Sequence, residues 1–199
     1  MAQETKRRTA LAEAATDHVL EHGLVGLSLR PLAAALGTSD RMLLYHFADK
    51  DDLVATVLRV ATDRSVQEVD RLPDGRDVRS AVHLLWGALT SSPLEQCQRL
   101  YVEAAALGLL GREPYAGVVR EANEGWVAAL VAFLRRSGCP ADRAARAVVL
   151  LDATLMGLHL DLPLDRDTPA VDQAVHDLAG AVAAIADGGG GQGRGQGRA

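Results

Sequence analysis

Aromatic side chains make up only 4% of this 199-residue sequence. Sheets rely on β-branched and aromatic side chains packed over a pleated surface, so this scarcity argues against a β fold. The 48% apolar content comes mostly from alanine, leucine and valine, a mixture that favours packed helices. Cysteine is nearly absent. Cys97 and Cys139 stand in no metal-ligand spacing, which points to a reduced protein without zinc. No apolar run of 18 residues occurs, and the start, MAQETKRRTALAEAA, has no apolar signal core. The expectation is a cytoplasmic protein with no membrane partner. An excess of positive charge is missing too. The formal net charge is −5; residues 1–50 carry six Lys/Arg and six Asp/Glu, and residues 51–199 hold the whole deficit. An acidic body repels DNA, so any DNA contact must be confined to the N-terminal end, which opens with Lys6-Arg7-Arg8. Nucleophile-elbow, phosphate-loop and metal motifs are all lacking, so neither an enzyme nor a cofactor is expected.

What is there is helical grammar. Residues 4–22 carry Leu11, Ala14, Ala15, His18 and Val19 on one face, and Gly23 ends the helix. Ser28 caps a second helix with Pro31 in its first turn. It ends at Leu36-Gly37, and Thr38 or Ser39 caps a third, running to about His46. Asp49 opens a fourth, with Asp52 three residues on, reaching about Val69. Further helices are expected over 77–91, from a Ser92-Pro93-Leu94-Glu95 capping box to Leu110, and over 115–136, 141–160 and 169–186. That makes about nine helices and no strand. The glycine-rich tail, 188–199, has too little apolar surface to bury and is expected to be disordered.

The stretch LAAALGTSDRMLLYHF, Leu32 to Phe47, raises a question. A helix as short as its second half gains little by itself, because nucleation is costly. Two helices joined by a tight glycine turn, the second short and polar at its start, form a helix-turn-helix over 28–47. Ala33, Ala34 and Ala35 would let the helices approach closely, and Gly37 supplies the turn. Leu43 and Phe47 would pin the third helix, leaving Ser39, Asp40, Arg41, Met42 and Tyr45 outward. A helix inserted end-on in the major groove needs only its first turns. From the hairpin alone, an ordinary bundle explains the pattern equally well.

The wider pattern favours the helix-turn-helix. Gly23-Leu24, Leu27-Ser28-Leu29-Arg30, Leu32-Ala33, Leu36-Gly37, Thr38-Ser39, and Tyr45-His46-Phe47 followed by Lys50 and Leu53 resemble the tetracycline-repressor (TetR) family. The resemblance covers residues 4–62; the remainder resembles the family only in its run of helices and its length. It implies an all-α protein with an N-terminal three-helix DNA-binding domain, 4–62, and a C-terminal helical ligand-binding and dimerisation domain, 63–187. The implied function is transcriptional regulation, usually repression of double-stranded operator DNA relieved by a small molecule. Ser28, Arg30, Thr38 and Lys50 fall where family members touch phosphates, and Ser39, Asp40, Arg41, Met42 and Tyr45 fall on the base-reading helix. The family commonly has tyrosine directly after the leucine of this helix. Here that place is Leu44, which leaves Tyr45 or His46 to replace the contact.

Trp86, Tyr101, Trp126, Phe133, Met156 and His159 lie on the four helices that would surround a cavity in this family. They either line a pocket for an unidentified apolar or amphipathic effector or simply fill the core. Val148, Leu151, Leu155 and Leu158, with Val171, Val175, Leu178, Val182 and Ile185, form two narrow seams. These would join two copies as a homodimer, or else serve the core of one chain. His18 and His22 have a spacing that two metal ligands can share, but no third ligand is apparent, and the expectation is packed histidines. The cysteines read as core thiols, and Glu121 and Glu124 as a solvated face. The competing reading is a helical interaction or ligand-carrier module that keeps a helix-turn-helix shape without using it.

Overall fold

The computed structural model describes residues 2–161 and 169–188. Nine helices and no strand occur among these residues. They are α1 (Ala2–His22), α2 (Leu29–Ala35), α3 (Asp40–His46), α4 (Lys50–Arg71) and α5 (Val78–Leu89), then α6 (Leu94–Leu109), α7 (Tyr115–Arg136), α8 (Ala141–Asp161) and α9 (Pro169–Asp187). Most of the expected tail, 189–199, and the Thr168 that would open α9 lie outside the described residues. None of the helices described is long and apolar enough to cross a membrane.

The chain packs as two bodies. One holds the residues up to Glu68 together with Ser91–Trp126; the other holds Val69–Thr90 and the residues from Val127 on. In the first body, Ala15 and Val19 of α1 meet Leu32 and Ala33 of α2, Leu43 and Phe47 at α3, and Leu53, Val54 and Val57 of α4. Leu100 and Ala104 of α6 belong to the same core. Only Ala33 of the three alanines is buried; Ala34 and Ala35 are exposed. One small residue per turn is enough for the α2–α3 approach, since 3.6-residue periodicity turns its two neighbours away.

Local sequence accounts for most helix ends. Ser39 accepts the backbone N–H of Met42 at 3.2 Å, and Asp49 accepts that of Asp52 at 2.8 Å. Asp77 and Ser80 make a reciprocal capping box at α5. Gly37 adopts φ +63°, a left-handed turn that other residues reach only under strain. Two expectations are corrected. Ser28 occupies the N-cap of α2 but its side chain makes no cap bond. The capping box at Ser92 does not form: Pro93 is itself the N-cap of α6, with no side-chain cap bond, rather than the first helical residue. The N–H of Glu95 bonds the carbonyl of Ser91 instead, at 3.1 Å.

The second body is built on α9, which packs against both α5 and α8. This overturns most of the dimer seam. Val148, Leu151, Leu155, Val175, Leu178 and Val182 are buried within the single chain, and Leu158, Val171 and Ile185 are half-buried. A three-four repeat is what any helix needs to pack on a neighbour, whether that neighbour lies in the same chain or another. Arg136 braces the same body. It pairs with Asp74 at 2.9 Å, bonds the carbonyl of Val69 at 2.6 Å and lies 4.8 Å over the Phe133 ring.

Candidate nucleic-acid interface

The third helix owes its place to two residues. Leu43 and Phe47 lie one turn apart and are almost fully buried. Everything else on α3 is arranged around that anchor. Ser39, Asp40, Arg41, Leu44 and Tyr45 are exposed, whereas Met42 and His46 are half-buried. Met42 is therefore corrected from outward to flanking: it precedes the Leu43 anchor, and its N–H is tied back to Ser39. Beyond the helix, Ser28, Arg30 and Lys50 are exposed and Thr38 is half-buried. The expected contact residues are thus gathered within one part of the first body, on α2, α3, the turn between them and the start of α4.

Some of these groups already have work inside the fold. The Lys50 ammonium donates to the carbonyl of Leu27, fastening the start of α4 to the loop before α2. Ser39 Oγ is the cap of α3. Arg8, from the basic run Lys6-Arg7-Arg8, is a bracket inside the fold. Its Nε donates to the carbonyl of His46 at 3.0 Å, its terminal nitrogen reaches Asp52 at 3.2 Å, and its guanidinium lies 4.9 Å from the Phe47 ring centre. Asp52 in turn accepts the N–H of Ala48 at 3.1 Å. One guanidinium thereby joins α1 to the end of α3 and the first turn of α4.

The C-terminal end of α3 borders a cleft of about 340 Å³ lined by Glu4, Thr5, Arg8, Tyr45 and His46. Tyr45 and His46 meet edge to face with ring centres 5.0 Å apart, and Nε2 of His46 is buried without a hydrogen bond. The neighbouring Glu4 carboxylate, which lines the same cleft, raises the Tyr45 phenol above its ordinary ionisation range. Glu4 and Thr5 were not expected here. Nothing in the spacing of residues forty apart joins the first turn of α1 to α3.

The loop leading into α2 is held from the other side. The carboxylate of Glu103 on α6 accepts the N–H groups of Leu24 and Val25 at 2.6 and 3.0 Å, and Arg99, one turn earlier, donates to the carbonyl of Leu20 at 2.7 Å. Gly23 has φ +87°, and a Cβ there would lie 3.2 Å from the Glu103 carboxylate.

The six candidate ligand residues divide between the bodies. Tyr101 and Trp126 belong to the first, and Trp86, Phe133, Met156 and His159 to the second. Phe133, Trp126 and His159 are buried; Trp86, Tyr101 and Met156 are half-buried. His18 and His22 stack with ring centres 4.1 Å apart, and the described residues contain no group of three side chains suited to a metal ion. Glu121 pairs with Arg59 at 3.1 Å. Both cysteines are buried thiols, and burial raises each above its usual ionisation range.

Residues 11–57 match the family described as bacterial regulatory proteins, tetR family. The fold is similar to that of a transcriptional regulator from Rhodococcus sp. Rha1, with 25% identity, 88% of this chain and 95% of that one covered, and a TM-score of 0.71. It is also similar to EbrR, described as a multidrug binding protein complexed with imidazole (26% identity, 89% and 94% covered, TM-score 0.64). A TetR transcription regulator from Haloarcula marismortui shares the fold at 20% identity, with 90% and 97% covered and a TM-score of 0.66. No curated protein matches the chain.

Proposed function

The chain belongs to the tetR family of bacterial regulatory proteins, and from that premise we propose that it is a repressor released from its operator by a small apolar or amphipathic molecule. Regulation of transcription through DNA binding, without enzymatic activity, is the function that the family carries. The observation that supports α3 as the reading element is its anchoring: Leu43 and Phe47 are fixed in the core, and Arg41 and Tyr45 stand exposed beside them. Residues 4–62 form the DNA-binding module in this reading. Arg41, Asp40, Ser39 and Tyr45 face bases, while Ser28, Arg30, Thr38, His46 and Lys50 face the backbone. Residues 63–187 carry effector binding and dimerisation.

Two copies are needed because an end-on helix reads only a few base pairs, and two-fold symmetry doubles the site. The homodimer uses the outer face of α8, not its buried seam. Val149 and Leu160 are 70% and 47% exposed and lie three turns apart on one face, with Ala153 exposed between them. The effector proposal draws on EbrR, a multidrug binding protein of similar fold, and on the half-buried Trp86 and Met156 of the second body. Release requires the effector to favour the DNA-incompetent state; equal affinity for both states shifts nothing. The test is a gel shift on the chain's own upstream DNA, repeated with hydrophobic metabolites that quench tryptophan fluorescence. A retarded band that such a metabolite abolishes supports the reading. A metabolite that quenches yet leaves the band unchanged contradicts it.

A further inference from the structure

Leu44 is the one aliphatic side chain exposed on α3. It is 46% exposed, whereas Leu43 beside it is fully buried. The core of the first body stops short of it: Leu27, Leu29 and Leu36 pack half-buried against that core, and Leu44 does not. Single exposed apolar side chains are ordinary on protein surfaces, so exposure alone points to nothing. The place of this one does. Leu44 lies three residues from Arg41 and next to Tyr45, and residues three and four apart are neighbours on a helix surface. Asp40, one turn before Leu44, uses its carboxylate at the helix start, where it accepts the N–H of Arg41 at 2.9 Å. Leu44 therefore shares the exposed ridge of Arg41 and Tyr45, away from the buried Leu43 and Phe47.

A leucine side chain has no hydrogen-bonding group. It can neither bond a phosphate nor pair with a polar base edge. The major groove offers it one apolar partner, the C5 methyl of thymine; the other three bases present only donors and acceptors there. We propose that Leu44 is a specificity-determining residue that packs on a thymine methyl in each half-site, so that α3 reads a guanine through Arg41 and a nearby thymine through Leu44. The proposal rests on α3 being the DNA-reading helix. Side chains three residues apart on a helix are about 5–6 Å from each other, and base pairs are spaced by about 3.4 Å. The thymine should thus lie within about two base pairs of that guanine.

The experiment uses deoxyuridine, which pairs like thymidine and lacks only the methyl group. Each thymine of the labelled upstream duplex is replaced in turn, and binding of the full-length parent and of L44A is read by fluorescence anisotropy, with a scrambled duplex alongside and circular dichroism confirming equal helix content. One position per half-site should weaken binding of the parent by about fourfold, the worth of one buried methyl. L44A should bind the thymine and deoxyuridine forms of that position alike, while still preferring upstream to scrambled DNA through Arg41. A parent that prefers upstream DNA yet is indifferent to every replacement overturns the methyl contact and leaves the DNA-reading role intact. A loss of equal size in L44A assigns the methyl to another group or to the duplex itself and overturns it too. A parent that does not distinguish upstream from scrambled DNA removes both this proposal and the reading beneath it.

Discussion

At the scale of single residues, burial separates side chains that hold the fold from those able to meet a partner. Leu43 and Phe47 were legible as anchors because their spacing alone places them on one face of α3. Arg41 follows from them, since it must then point away. Arg41→Ala should relax specificity at one base pair per half-site, because a bidentate contact to guanine is worth about 1–3 kcal/mol of discrimination; competition binding against single-base operator variants measures it. Lys50→Ala should weaken binding to all sequences alike and flatten the salt dependence. Arg8 and Glu4 were not legible. A basic run near a terminus looks the same whether it is a free arm or, as for Arg8, a bracket between helices 38 and 44 residues away. The cysteines carry a chemical consequence. Burial is the main cause that raises Cys97, and the Ser65 hydrogen bond and Arg64 oppose it only in part. A raised thiol holds less thiolate at neutral pH, so iodoacetamide should alkylate Cys97 far more slowly in the native protein than after unfolding. Equal rates would show the thiol to be accessible and reactive.

At the scale of elements, caps were legible where the chain writes them locally. Ser39 and Asp49 cap α3 and α4 from the positions expected of them, and Asp77 and Ser80, three apart, form a box that was not expected. Ser92 and Glu95 are also three apart, but Pro93 between them takes the cap position, so the same spacing gives no box. Asp77 makes stability depend on pH with a definite sign. The backbone N–H of Ser80 holds its carboxyl below the ordinary range. Its contribution is present above the ordinary carboxylate value and is lost as pH falls through the depressed one. Asp77→Ala should therefore lower Tm at neutral pH, and the gap from the parent should close in strong acid. The Glu103 hold on Leu24 and Val25 joins residues 79 and 78 apart and left no mark in the sequence pattern. Hydrogen bonds to a charged group contribute about 1.5–3 kcal/mol. Glu103→Ala should accordingly speed amide exchange at Leu24 and Val25 by about tenfold or more, while exchange in α9 stays unchanged.

At the scale of the whole molecule, the helical class and the order of helices could be read from alanine-rich periodicity. Which body each helix joins could not. The pattern of α8 and α9 specifies that each has a partner but not whose, and their seams close within one chain. Leu155→Glu with Val182→Glu should consequently unfold the second body instead of yielding folded monomers, because both side chains are buried. Val149→Glu with Leu160→Glu, on the exposed face, should give folded monomers with weakened operator affinity, checked by sedimentation and circular dichroism. A parent that is monomeric at micromolar concentration would remove the dimer from the account. The central claim is that an acidic chain reads DNA through one short helix. Its most direct measurement is equilibrium binding of the parent and R41A to upstream and scrambled duplexes across a salt series. The parent should prefer its upstream site by about a thousandfold or more, with R41A losing much of that preference but keeping the salt slope. Equal affinity of the parent for both duplexes would contradict it.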